Sequence, residues 1–500
     1  MTGWPSVPRR LLLRLAGASM AAAPLPAMAQ AGSGAAREGS AGPSPRVWTE
    51  FFKGQRIWAY VDRHSVAPGE KFNLMMAAGP GQPSRRVRLE VFRLGAEGEA
   101  PAPVWQSPFV DAVYRGATAS GAAIGPGWPP AIADIHTAAW RPGCYVMDVV
   151  EQTTATRDVR AASIVVTNPR RSGAVLMRLP TNTYQAYNPW GGHSLYPNGD
   201  DEVRGLVVSF DRPTPPSLFE YDAYLVAWLE TLAPSLGGVD YATNFDVHAD
   251  PTLIDHYPLV ITGGHDEYWS GEEYDAFEKR IFKRGGNTLF LGADAAYCQV
   301  RYGDLNGPPG GLGQGRQLVC YKTSADPIAR RPGASDPGRL ITADFRQDAR
   351  RPETMLTGGA YQSWFEPASA QRPAYRVAST DLPYFTGTGW QVGDLAAEVV
   401  GYEWDNRDPL GDGKRLWQAG RSRNAQLDPA RLRVLFRGEA VDAAGRPGLA
   451  EAVYFESPAG AKVFDAGSVR WSWGLGKEGF AQPAFRRFNE NLVRALCRRR

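Results

Sequence analysis

Three short, almost unbroken apolar runs set the strongest limit on how this chain can fold. They are Ala174-Val175-Leu176-Met177-Arg178-Leu179, Pro258-Leu259-Val260-Ile261-Thr262-Gly263 and Asn287-Thr288-Leu289-Phe290-Leu291-Gly292. Runs of this length without polar alternation read as strands buried on both faces. Helix starts separate them. Ser217-Leu218-Phe219-Glu220 is a capping box opening a helix through about Leu232. Ser270-Gly271-Glu272-Glu273 is a second, and its helix ends at Gly285-Gly286. Strand, helix, strand, helix, strand reads as α/β, with a doubly wound parallel sheet, over residues 172–500.

Residues 47–168 have a different rhythm. Arg56-Ile57-Trp58-Ala59-Tyr60-Val61 and Val87-Arg88-Leu89-Glu90-Val91 are short runs, and in the second Val87, Leu89 and Val91 share one face. Gly/Pro turns such as Ala67-Pro68-Gly69-Glu70 separate the runs, and Gly143 to Val149 is a late strand. This predicts an all-β sandwich ahead of the α/β unit. From about residue 301 to 383 the pattern turns irregular, as an insertion or lid would. Strands return at Ala396 to Tyr402 and Lys462 to Ala466, and Ala481 to Arg500 is a closing helix.

Residues 1–29 read as an export signal. Arg9-Arg10 precede an apolar stretch from Leu11 to Ala23, and Ala27-Met28-Ala29 offers a cleavage site. Paired arginines before Leu-Leu-Leu point to the twin-arginine type, hence a periplasmic or secreted protein. An ordinary secretory signal is the alternative. Residues 30–46 are a Gly/Ala/Ser/Pro tether. The formal charge of +3 belongs to the signal, because residues 1–29 hold three arginines and no acid. The balance therefore gives no footprint for nucleic acid. No later stretch is long and apolar enough to span a membrane. Of the four cysteines, Cys144, Cys298, Cys320 and Cys497, none forms a C-x-x-C pair, and an oxidising compartment would permit a Cys298–Cys320 bridge.

Ligands of open parallel sheets bind beyond the carboxyl ends of the strands. The first strand runs into Asn182-Thr183-Tyr184-Gln185-Ala186-Tyr187-Asn188, the second into Gly264-His265-Asp266-Glu267, the third into Ala293-Asp294, and a later one ends at Glu403. All four ends are polar. No G-x-S-x-G elbow, H-E-x-x-H or phosphate loop occurs, and no cysteine follows the second strand. His193 is a further candidate ligand.

Five blocks in order then resemble the large (beta) subunit of N,N-dimethylformamidase, in its C-terminal region. They are Gly143-Cys144-Tyr145, Asn182 to Asn188, Gly264-His265-Asp266-Glu267-Tyr268-Trp269, Phe290-Leu291-Gly292-Ala293-Asp294 and Gly401-Tyr402-Glu403. The resemblance covers roughly residues 130–480. It implies a class I glutamine amidotransferase-like parallel sheet without the nucleophilic cysteine, and one ferric ion held by two tyrosines and a glutamate. Carried over by residue, iron falls on Tyr145, Tyr187 and Glu267. His265 and Glu403 would position water or substrate, Asp294 stands where the family has asparagine, and Lys322 corresponds to an active-site lysine. Two phenolates and a carboxylate balance a trivalent ion, and such an ion polarises carbonyls and acidifies water.

The implied activity is hydrolysis of a small amide or another non-peptide C–N bond. Zinc or another metal stays open, as does a homo-oligomer. No counterpart of the family's small subunit is evident. The competing reading is a non-catalytic exported protein that binds a carbohydrate or a partner on a degenerate amidase scaffold.

Overall fold

The computed structural model describes residues 55–79, 84–97, 102–115, 121–196, 204–214, 220–303, 315–322, 326–330, 340–346, 351–367, 369–408, 427 and 431–498. The export signal, the tether and Ser217-Leu218-Phe219 of the first capping box lie outside the described residues.

The N-terminal part is two sheets face to face. A three-stranded sheet orders Ile57–Val61, Lys71–Ala78 and Pro130–His136. The larger sheet carries Arg85–Arg93, Gly143–Glu151 and Arg157–Val166 at its centre. Alternation explains the packing. Val87, Leu89 and Val91 meet Ile57, Ala59 and Leu74 in one buried core, joined by Tyr145, Met147 and Val149. The opposite face of the same strand presents Cys144 and Val146 to the core of the second unit.

A nine-stranded sheet organises the rest. Its order is Val239–Thr243, Val175–Leu179, Leu259–His265, Asn287–Ala293, Lys462–Asp465, Pro447–Glu456, Arg433–Val441, Tyr375–Val377, Leu395–Ala397. The first five strands are parallel. From Lys462–Asp465 outward every pair is antiparallel. Alternate residues of the parallel strands serve opposite faces. Met177, Ile261, Leu289 and Leu291 pack with helices Glu220–Leu236 and Pro483–Leu496. Leu176, Val260 and Phe290 pack with helix Gly271–Phe282. The capping box at Ser270 is formed in both directions: Ser270 Oγ accepts from Glu273 N and Glu273 Oε2 from Ser270 N.

The fold is therefore not the doubly wound, amidotransferase-like α/β sheet that the sequence suggests. Strand outweighs helix, 37% against 21%, and several mixed sheets replace a single wound one. The physical reason lies after Asn287–Ala293. There the chain stops alternating strand with helix and adds the hairpin Arg433–Val441 with Pro447–Glu456, whose strand edge can only extend the sheet antiparallel. Two further readings change. Of the expected strand from Ala396 to Tyr402 only Ala396 and Ala397 are strand, within Leu395–Ala397, and Glu403 opens the strand Glu403–Asn406 instead of ending one. Within the irregular region, Gln317–Val319 and Ala360–Trp364 are strands. The first belongs to a small sheet ordered Val207–Ser209, Gln317–Val319, Cys298–Gly303, Tyr268–Ser270. That sheet walls the site described next.

Candidate active site

The strand Leu259–His265 carries two glycines, Gly263 and Gly264, just before its last residue, and Gly264 takes φ +64. Only glycine adopts that backbone freely, and the turn aims His265 and Glu267 at one point. Arg178 secures this turn from the neighbouring strand. Fully buried, it grips Asp266 with two hydrogen bonds, 2.6 and 2.9 Å, and lies over the Trp269 ring at 4.4 Å. Asp266 is thus a structural anchor. Thr183 Oγ1 accepts from Glu267 N at 3.1 Å. The carboxylate of Glu267 is left pointing into the site, wholly buried.

Two stacked phenols meet that carboxylate. Tyr187, just past the helix Thr181–Ala186, donates to Glu267 Oε2 at 2.8 Å. Tyr196 donates to Oε1, and its ring stacks on Tyr187 at 4.4 Å. Lys322 Nζ lies 3.8 Å from Oε1 and 3.3 Å from the centre of the Tyr196 ring. Cys298 Sγ approaches Oε1 at 3.6 Å.

His265 is the hub of the other half. Its Nε2 stands 2.7 Å from Glu403 Oε2, 3.5 Å from Asp294 Oδ2 and 3.5 Å from Glu267 Oε2. Tyr187 Oη is 3.4 Å from the same nitrogen, and Tyr402 Oη is 3.2 Å from Nδ1. Asp294 sits in left-handed backbone, φ 59, at its strand end, with its N–H held by Asp405 Oδ1 at 2.9 Å. A non-glycine residue there is a strained position of the kind found at working sites.

The electrostatics follow from this crowding. Burial alone would raise the Glu267 carboxyl, but the Lys322 charge and the His265 contact hold it down at about 2. Burial would lower His265, yet Glu403 and the other neighbours outweigh it and hold the imidazole well above its ordinary value. Asp294 is pushed up by burial and by Glu267 and Glu403, against the pull of His265. Burial and the Glu267 charge raise both Tyr187 and Tyr196, so both phenols keep their protons when no cation is present.

The donor set fits a metal ion. The ligand atoms of His265, Asp294 and Glu403 lie within 4.8 Å of one another. Asp294 Oδ1 is buried without a hydrogen-bond donor among the described residues, and Glu403 Oε2 touches His265 without hydrogen-bond geometry. Buried, undersatisfied carboxylate oxygens are costly unless something positive meets them.

Of the residues expected from sequence, the fold brings together Tyr187, His265, Glu267, Asp294, Lys322 and Glu403. It does not bring Tyr145. That hydroxyl donates to the Arg141 carbonyl at 2.6 Å, and the ring stacks on Trp140 inside the sandwich. Strand alternation is the reason: Cys144 and Val146 face the second unit, so Tyr145 faces away from it. His193 stays outside the cluster, and its carbonyl accepts from Arg212. Cys298 and Cys320 are free thiols. Sequence reasoning missed Tyr196, which follows Leu195 in a loop with no pattern to mark it. It also gave no role to Tyr402, although Gly401-Tyr402-Glu403 was among the telling blocks.

None of the curated proteins compared with the chain matches it. The family model described as N,N-dimethylformamidase beta subunit-like, C-terminal, matches residues 88–483. That span takes in every residue of the cluster, and the chain belongs to this family.

Proposed function

We propose that this is an exported hydrolase that cleaves the C–N bond of a small amide, with one ferric ion held by Glu267, Tyr187 and Tyr196. Membership of the family makes the chain a dimethylformamidase-like hydrolase, an amidohydrolase acting on C–N bonds. The metal, the substrate and export go beyond that. The observation that carries the metal assignment is the pair of stacked phenols converging on the two oxygens of one buried carboxylate. Hard anionic oxygens suit a hard trivalent cation. Deprotonated, the three groups would cancel its charge, which makes burial tolerable.

An ion there would supply Lewis acidity to an amide carbonyl and would lower the pKa of a water molecule. The chain's own groups supply the rest. His265, held on Nδ1 by Tyr402 and flanked by Glu403 and Asp294, stores a proton for the departing amine. Glu403, in contact with Nε2, is placed to receive a proton from the attacking water. Lys322, 3.8 Å from Oε1, offsets the negative charge of Glu267. Asp294 adds a second acid beside His265, where the family pattern carries a neutral amide.

Metal analysis and visible absorption test the assignment. Wild-type protein loaded with iron in air is expected to show a tyrosinate charge-transfer band. Tyr187→Phe, Tyr196→Phe and Glu267→Gln should lose the band and most of the iron while remaining folded. Tyr145→Phe should keep both. A colourless, iron-free wild type sinks the reading. A second reading rests on the His265, Asp294 and Glu403 triad. If zinc is bound and only variants of those three residues lose it, that triad is the metal site. Export is tested separately by fusing residues 1–29 to a reporter. Replacing Arg9 and Arg10 by lysine should abolish translocation by a twin-arginine route and spare an ordinary secretory one.

A further inference from the structure

Asp294 is 2% exposed, and its Oδ1 meets no hydrogen-bond donor among the described residues. The other oxygen, Oδ2, faces His265 Nε2 at 3.5 Å, which turns the carboxyl group toward the active-site cluster. Left-handed backbone, φ 59, and the grip of Asp405 on the Asp294 N–H hold it there. A buried acceptor left open is costly, and in a working site it marks the place of a ligand.

The cationic and phenolic donors at hand are engaged elsewhere. Arg346, whose guanidinium feels the Asp294 charge, gives Nε and Nη2 to Glu353 and Nη1 to the Tyr361 carbonyl. Lys322 stands by Glu267 and over the Tyr196 ring. Tyr187 Oη donates to Glu267, and Tyr402 Oη lies against His265 Nδ1. The ferric ion proposed above rests on Glu267, Tyr187 and Tyr196, so it leaves Oδ1 open as well. Burial and the charges of Glu267 and Glu403 push Asp294 up, so its carboxylate draws a hydrogen to itself.

We propose that Asp294 Oδ1 accepts an N–H of the substrate and makes the enzyme selective for amides that keep a hydrogen on nitrogen. The proposal rests on the reading of the chain as a C–N hydrolase. In that reaction His265 gives its proton to the departing nitrogen, which must therefore come next to Nε2. Asp294 flanks the same Nε2, beside the other substituents of that nitrogen. A primary or N-monosubstituted amide brings a donor to Oδ1. An N,N-disubstituted amide brings hydrocarbon there and leaves the carboxyl oxygen unpaired. A site built around a substrate N–H rejects the analogue lacking it more strongly than size alone would.

Hydrolysis of N-methylformamide and N,N-dimethylformamide by the iron-loaded enzyme tests the proposal. Relative to the uncatalysed rates, kcat/KM is expected to favour N-methylformamide by about tenfold or more. Asp294→Asn keeps the shape of the side chain and tolerates left-handed backbone. Its oxygen stays toward His265, and an NH2 stands where Oδ1 was. The preference should then fall by about tenfold, through loss with N-methylformamide, while iron content is unchanged. A second readout needs no turnover. Acetohydroxamic acid and its N-methyl derivative differ by the same hydrogen, and both chelate ferric iron with a visible band. Relative to free ferric ion, wild type should bind the N–H form more tightly by about tenfold, and Asp294→Asn should erase the difference. The same ratio in wild type and variant, in whichever assay gives a signal, overturns the proposal. So does loss of iron from Asp294→Asn, which would make Asp294 a ligand. If neither formamide is hydrolysed while the hydroxamate preference depends on Asp294, the hydrolase reading fails and the acceptor stands. Silence of wild type in both assays sinks the two together.

Discussion

At the scale of single residues, position relative to a strand end decided what could be read in advance. Glu267, His265 and Asp294 follow buried apolar runs, so the rule for parallel strands finds them. Tyr196 is as close to Glu267 as Tyr187 is, yet it lies in a loop and only the folded chain brings it there. Tyr145 failed for the converse reason: its motif was right, but the pleat turned it inward. Asp222 was invisible because it looks like any acid in a helix. It is wholly buried below Gly264, accepts from Tyr184 Oη at 2.5 Å, and is pushed by burial up to about 8. In an unfolded chain the same carboxyl titrates near ~3.9. Between those values the unfolded state has lost a proton that the folded state retains, so stability falls as pH rises from about 4 to about 8. Asp222→Asn should remove that slope. Urea unfolding of metal-free protein at pH 5 and pH 8 checks it: wild type should lose more stability over the interval than the variant, and parallel profiles would refute the assignment.

At the scale of elements, the strand runs and the Ser270 capping box were legible because their signals are local. What the sequence cannot display is how closely two strands approach. Gly264 and Gly292 are register partners on adjacent parallel strands. A Cβ on Gly292 would stand 2.0 Å from the Gly264 carbonyl oxygen. Backbone is the obstacle, so nothing flexible can yield. Overpacking usually costs about 1–3 kcal/mol, and Gly292→Ala is expected at or above the top of that range. Gly303, in the strand Cys298–Gly303, is the control: its added Cβ would meet only Val319 Cγ2, at 3.5 Å. Gly303→Ala should change the urea midpoint little. Comparable midpoints for the two variants would mean that the strands can part, and that the close approach does not fix His265.

At the scale of the whole molecule, the sequence revealed a parallel core but not the sheet containing it. Lys462–Asp465 pairs with Asn287–Ala293 across a long stretch of intervening chain, and no local period specifies that partner. The same holds for the docking of the sandwich. Arg93, on the sandwich strand Arg85–Arg93, forms a two-pronged pair with Glu230 on the helix Glu220–Leu236, at 2.7 and 2.9 Å. Tyr241 Oη donates to the same carboxylate at 2.7 Å, and Arg93 also reaches the Pro142 carbonyl. Both side chains are largely buried, at 15% and 10% exposure, so solvent screens the pair only weakly. Removing one partner then leaves a charge without its counter-ion, which costs roughly 3 kcal/mol or more. Glu230→Ala is expected to lose about that amount. Arg93→Met with Glu230→Leu should recover most of it, because no unpaired charge remains. Sandwich and sheet should also unfold together in the wild type, since Cys144 and Val146 pack into the core of the sheet. Chemical unfolding of the two single variants and the double variant, followed by tryptophan fluorescence and circular dichroism, measures both points. If the double variant is no more stable than Glu230→Ala, the pair contributes through packing and not through charge. If the two signals separate in the wild type, the sandwich folds as an independent unit, and its loss would precede that of the site around Glu267.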